Sequence, residues 1–162
     1  MKMRHTISAL VENKSGVLAK ISGLFSARGY NIDSLSVGET ENDDVSRMTI
    51  VVKGDETVLE QVTKQLNKLP DVITVKDFKD MDIVERDLML VRVTADKDTR
   101  PEIMEISGIF RAKVVDVAQK TVMVEVTGDE NKLQAFIELM RPYGIKELAR
   151  TGVIALERGG KQ

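Results

Sequence analysis

The chain has 162 residues, 42% of them apolar and 31% charged, with a formal net charge of −2; that is enough core-forming material for one medium globular domain or two small ones. A near-neutral charge argues against a nucleic-acid binder, and no apolar run reaches the roughly 18 residues of a membrane span. With no cysteine there is no disulfide and no thiolate metal site. The start carries no signal-peptide core, so the expected compartment is the cytoplasm, or an organelle if a transit peptide was removed.

In chain order, Ile7, Ala9 and Val11 alternate with Thr6, Ser8 and Leu10, the period of a strand. Val17, Leu18, Ile21, Leu24 and Phe25 follow at helical spacing. Residues 31–37 and 45–53 read as a hairpin across an acidic turn at Asn42-Asp43-Asp44. A second helix carries Val58, Leu59, Val62, Leu66 and Leu69, and Pro70-Asp71 leads into a strand over 72–75. Residues 77–87, with five acidic and two basic side chains, read as a solvated linker that partly extends its flanking strands. A strand over 88–94 comes next. Thr99-Arg100-Pro101-Glu102 has the spacing of a capping box with Pro in the first turn, and Ile103, Ile106 and Phe110 face a core. Residues 114–117 and 122–126 pair through Gln119-Lys120. Leu133, Phe136, Ile137 and Met140 mark a last helix, broken by Pro142-Tyr143-Gly144 before a strand from about 145 to 156 with an interruption at Gly152.

The two halves share words as well as order. Val52-Lys53-Gly54-Asp55-Glu56-Thr57-Val58-Leu59 recurs as Val126-Thr127-Gly128-Asp129-Glu130-Asn131-Lys132-Leu133, and Ile21-Ser22-Gly23-Leu24-Phe25 as Ile106-Ser107-Gly108-Ile109-Phe110. The expected architecture is therefore α+β: two tandem ferredoxin-like βαββαβ domains with antiparallel sheets and helices on one face. The domains are placed at residues 1–76 and 88–157, joined by the linker 77–87 and ending in a frayed tail, 158–162.

Catalytic patterns are missing. The single histidine, His5, lies in a strand pattern and reads as structural or solvent-facing. No second histidine completes a transition-metal spacing, and Asp43-Asp44 and Asp80-Met81-Asp82 read as solvated turn and linker carboxylates. No serine has an elbow and no glycine run cradles phosphate.

One segment is built differently. Asn13-Lys14-Ser15-Gly16-Val17-Leu18 joins the first strand to the first helix, placing a glycine and two polar side chains beside the unpaired N–H groups of a helix start, which attract a carboxylate. The same helix ends at Arg28-Gly29-Tyr30, and Asn31 opens the next strand with an amide that both donates and accepts. Taken alone, these two segments are read more simply as a capped turn and an ordinary helix stop. The repeat separates the readings: the equivalent loop, Ala95-Asp96-Lys97-Asp98-Thr99-Arg100-Pro101, has no glycine and two carboxylates, and no Gly-Tyr-Asn insert follows Phe110. A site in the first half only is the better inference. The strands joined by the first helix are expected to be the inner pair of the sheet, with that helix between Asn31 and the loop at 13–16, so two copies packed together would be needed to bring the ends close.

The run Val11-Glu12-Asn13-Lys14-Ser15-Gly16-Val17-Leu18, with Leu24-Phe25-Ser26-Ala27-Arg28-Gly29-Tyr30-Asn31-Ile32, resembles an ACT domain. With Ser46-Arg47-Met48-Thr49-Ile50, Gln65-Leu66-Asn67-Lys68-Leu69, Ile109-Phe110-Arg111-Ala112-Lys113-Val114-Val115-Asp116-Val117 and Glu147-Leu148-Ala149-Arg150-Thr151-Gly152, it is similar, over almost the whole chain, to the acetolactate synthase (acetohydroxyacid synthase) small-subunit family. That resemblance implies a non-catalytic regulatory protein of branched-chain amino-acid (valine, isoleucine, leucine) biosynthesis, allosteric and subject to valine feedback inhibition. It also implies a homodimer of paired ACT domains and a large catalytic subunit holding thiamine diphosphate, magnesium and FAD, with no cofactor in this chain. The implied valine-binding positions are Asn13, Gly16, Val17 and Leu18 of one copy and Asn31 and Ile32 of the other. Amides at the helix start would hold the carboxylate, and Val17, Leu18 and Ile32 would take the isopropyl group. Val17 departs from the alanine of some members. Three rival readings stand beside this one: a free-standing amino-acid sensor, an RNA binder and an enzyme. The second lacks stacking aromatics on residues 32–37 and 45–53, and the third lacks a nucleophile or metal set.

Overall fold

The computed structural model describes residues 3–159. The chain forms two compact units, one of residues up to Val84 together with those from Val153 onward, the other Glu85–Gly152. The first unit contains β1 (Met3–Glu12), α1 (Val17–Arg28), β2 (Asn31–Glu39), β3 (Val45–Gly54), α2 (Glu56–Asn67) and β4 (Val72–Asp77). Next come β5 (Ile83–Thr94), α3 (Arg100–Ile109), β6 (Lys113–Val117), β7 (Thr121–Gly128), α4 (Glu130–Met140), β8 (Ile145–Arg150) and β9 (Ile154–Glu157). The strands run antiparallel in the orders β2-β3-β1-β4 and β6-β7-β5-β8. The protein is α+β, with the βαββαβ unit present twice.

Two periodicities meet in each core. Ile7, Ala9 and Val11 of β1 lie opposite Ile50, Met48 and Ser46 of β3 and face Val17, Ile21 and Phe25 of α1 and Leu59, Val62 and Leu66 of α2. In the second unit Met89, Val91 and Val93 lie opposite Val126, Val124 and Val122, beneath Ile103 of α3 and Leu133, Phe136 and Met140 of α4. His5 belongs to the core-facing row of β1, buried opposite Val52, with Nε2 3.1 Å from the Gly54 carbonyl oxygen. A carbonyl only accepts, so Nε2 donates and the ring is held as a structural donor. No helix of the described residues is long and apolar enough to cross a membrane.

The recurring Gly-Asp words are explained by the fold. Asp55 and Asp129 cap α2 and α4, their carboxylates accepting from Val58 N–H at 3.0 Å and Lys132 N–H at 2.9 Å. A Cβ on Gly54 would sit 2.7 Å from Val58 Cβ, and one on Gly128 would collide with Lys132. The Asp cap recurs at both corners, while the glycine is demanded by the branched Val58 at Gly54 and only crowds the flexible Lys132 side chain at Gly128.

Four expectations change. The inner strands are β1 and β3; β2 is an edge, because α1 carries the chain across to the far side of β3. The flanking strands extend into the span 77–87 as expected, β4 to Asp77 and β5 from Ile83; what changes is that Phe78 between them is buried, its N–H donating to Thr6 carbonyl at 3.1 Å. The strand expected over 145–156 is interrupted at Gly152 (φ +91) as expected, giving β8 and β9; what changes is that residues from Val153 fall in the first unit. There Val153 N–H donates to Ser34 Oγ, Lys76 meets Glu157, and Arg158 binds Asp82, so the start of the expected tail is anchored. The rest of that tail, residues 160–162, lies outside the described residues, as do the first two residues of the domain placed at 1–76. Finally, Thr99 makes no side-chain cap on α3; the Asp96 carboxylate instead closes the turn ahead of the helix by accepting from Asp98 and Thr99 N–H.

Candidate functional site

The loop at residues 13–16 leaves β1 and enters α1 through Gly16, which is left-handed (φ +87) and provides no side-chain cap. A Cβ built there meets nothing within 4 Å. The glycine is therefore required by conformation and not by space. The helix start is left open. Val17 N–H reaches Lys14 carbonyl only at 3.4 Å, and the N–H groups of Ser15, Gly16, Leu18 and Ala19 have no partner among the described residues. All four residues are exposed, and the first turn carries no acidic side chain. Such a cluster suits a single carboxylate.

Nearby cations are already matched. Lys14 lies 2.8 Å from Glu12 and Lys20 2.8 Å from Asp71. The hydrogen bond and charge of Glu12 raise Lys14 above its ordinary pKa, and the hydrogen bond from Lys20 holds Asp71 below the usual carboxylate value. Attraction for an anion at this loop thus comes from the backbone amides.

Asn13 is tied to the β2–β3 turn. Its Nδ2 donates to Asp43 carbonyl at 2.8 Å and to Glu39 Oε1 at 3.2 Å, and its backbone N–H donates to Asp44 carbonyl at 2.8 Å. The acidic turn reads from sequence only as a turn, so Glu39 escapes notice. The signal is in the register: Glu12 pairs with Val45, and Glu39 with Ser46, which sets the end of β2 beside the loop.

Not every implied position is equally available. Val17 is buried in the core and offers a ligand its backbone only; Leu18 is 47% exposed. Asn31 is exposed at the start of β2 opposite Lys53, and Ile32 packs against the core. Measured along β3, the partners of Asn31 and of Glu12 are eight residues apart, or about 26 Å. Within one copy, Asn31 and Ile32 do not share a site with Asn13, Gly16, Val17 and Leu18.

The equivalent loop of the second unit is closed from inside. Asp96 Oδ1 accepts from Asp98 N–H at 2.8 Å and Thr99 N–H at 2.9 Å, and Asp96 carbonyl accepts from Arg100 N–H at 3.0 Å. Those amides, Thr99 first and then Asp98, hold the Asp96 carboxyl below its ordinary pKa. Pro101 has no N–H to offer. Among the described residues no group of three or more His, Asp or Glu is placed to hold a metal ion.

Comparison with known proteins agrees with this layout. The sequence pattern of the family described as AHAS small subunit-like ACT domain matches residues 7–74, and that described as small subunit of acetolactate synthase matches residues 86–159. The chain is 59% identical to a probable acetolactate synthase small subunit of Archaeoglobus fulgidus, with 99% of this chain and 100% of that one covered. It is 52% identical to the acetolactate synthase small subunit of Mycolicibacterium smegmatis, with 96% and 91% covered. The crystal structure of the acetolactate synthase small subunit from Thermotoga maritima superposes with a TM-score of 0.89 at 40% identity, covering 98% of this chain and 99% of that one. With an ACT-type first unit, a second unit matched by the same family and identity maintained end to end, the chain belongs to the acetolactate synthase small-subunit family, whose ACT domains point to a regulatory role.

Proposed function

We propose that this chain is the regulatory, non-catalytic subunit of a cytoplasmic acetolactate synthase, activating a large catalytic subunit and bringing it under feedback inhibition by valine. The observation that carries the reading is the open amides of Ser15, Gly16, Leu18 and Ala19, set against the equivalent loop of the second unit, where Asp96 takes the amides of Asp98 and Thr99. The large subunit would hold the thiamine diphosphate, magnesium and FAD, with no cofactor in this chain.

A homodimer completes the site on simple geometry. Because β2 is an edge strand, two copies can pair their β2 strands antiparallel about the strand midpoint. Asn31 of the second copy then falls opposite Glu39 of the first, beside the loop at 13–16. The valine carboxylate sits on the amides around Gly16, Leu18 supplies apolar contact, and Asn31 with Ile32 of the second copy closes the far side. Valine shifts the holoenzyme only by its different affinity for two arrangements of this dimer, typically about 1–3 kcal/mol.

The test is reconstitution. The purified chain is mixed with its large subunit and acetolactate formation followed as valine is added. Activation without valine and loss of that activation with it are expected, and the chain alone should show no turnover. Turnover by the isolated chain, or a large subunit indifferent to its presence, would overturn the assignment.

A further inference from the structure

Resting on the effector reading above, we propose that Glu39 is a specificity-determining residue of this site: it fixes Asn13 in the orientation that recognises the ammonium group of an amino acid. Asn13 carries one donor end and one acceptor end, and its neighbours decide which is presented. Both groups met by Nδ2, the Asp43 carbonyl at 2.8 Å and the Glu39 carboxylate at 3.2 Å, are pure acceptors. A flipped amide would set Oδ1 against two oxygens, so the orientation follows from partner chemistry. Both Nδ2 protons are committed, and Asn13 has only the lone pairs of Oδ1 to offer a ligand.

Lone pairs suit an ammonium and repel a carboxylate. The loop thus divides a zwitterion's two charges: open backbone N–H groups around Gly16 for the carboxylate, Asn13 Oδ1 for the ammonium. Glu39 is exposed at the end of β2 and adds a negative charge on the ammonium side. It acts through Asn13, as a positioning residue. The second unit has no counterpart, since its loop carries Asp96 and Asp98 and the Asp98 and Thr99 amides are taken by Asp96.

The experiment compares two ligands that differ only in the amino group, valine and 3-methylbutanoate, titrated calorimetrically into the wild-type dimer, Glu39→Ala and Glu39→Gln. Wild type should prefer valine tenfold or more, as expected for a charge-assisted hydrogen bond. In Glu39→Ala, where the Asp43 carbonyl alone still holds Nδ2, the preference should fall through lost valine affinity, with 3-methylbutanoate binding unchanged. Glu39→Gln retains an acceptor for Nδ2 and should recover part of the preference. A Glu39→Ala protein that keeps the full preference overturns the role of Glu39 while leaving the effector site standing. Wild type that binds neither ligand overturns the effector reading, and this assignment falls with it.

Discussion

The two strand-to-helix loops descend from one pattern and have been put to opposite uses. At residues 13–16 a left-handed glycine and no acidic side chain leave a row of amides facing solvent. At residues 96–99 the protein has supplied its own carboxylate, from Asp96, to the homologous place. One unit contains, as a permanent part, the chemical group that the other, on the proposed function, receives from a ligand. A helix start needs its donors met, and whether they are met by the chain or left for a ligand marks the difference between support and sensing.

The largest effect expected from breaking this contrast is at Gly16. Gly16→Asp imports the second unit's device, placing a carboxylate on the amides at residues 15–18; Asp tolerates the left-handed backbone better than most residues, and the position is open. Valine affinity measured by calorimetry should fall more than 100-fold while the dimer persists in sedimentation. Equal affinity in variant and wild type would place the site elsewhere.

A comparably large effect, on stability alone, is expected in the second unit. Asp87 is buried (side chain 1% exposed) and bound by Arg150 at 2.7 Å and by Thr151 Oγ1 at 3.1 Å. Arg150→Met leaves that carboxylate without its counter-charge and should cost about 3 kcal/mol in denaturant unfolding, with no change in valine affinity. A lost valine response would show that the second unit contributes to the site directly.

A smaller effect follows from Gly16→Ala. A Cβ fits but the left-handed backbone is disfavoured, so about 1 kcal/mol of stability should be lost, with valine still bound. The smallest is at Asp96. Its pKa is lowered in the fold, so its contribution is present above the ordinary carboxylate pKa and disappears as pH falls through the folded value. Asp96→Asn should lower the melting temperature slightly at neutral pH and flatten the loss of stability below about pH 4.

The fold was legible because it rests on residues whose period alone assigns them: Ile7, Ala9 and Val11 for a strand, Leu59, Val62 and Leu66 for a helix. The repeated Gly-Asp corners could be read because the Asp caps a helix in both units. What escaped was long-range pairing. Nothing local says that β2 lies on the edge, or that residues from Val153 return to the first unit; hydrogen bonds such as Val153 to Ser34 across 119 positions decide those. The loop at 13–16 was legible by contrast with its twin, whereas Glu39 became visible only once the β2–β3 register brought it beside Asn13. The spacing of Thr99 and Glu102 suggests a capping box, whereas α3 has no side-chain cap and the Asp96 carboxylate takes the Asp98 and Thr99 amides ahead of it.

The most direct test is a backbone-amide NMR titration of the dimer with valine. The amide signals of Ser15, Gly16 and Leu18 should move in a saturable way while those of Asp98 and Thr99 stay fixed. Movement at Asp98 and Thr99, or saturable binding that leaves Gly16 and Leu18 unmoved, would contradict the account.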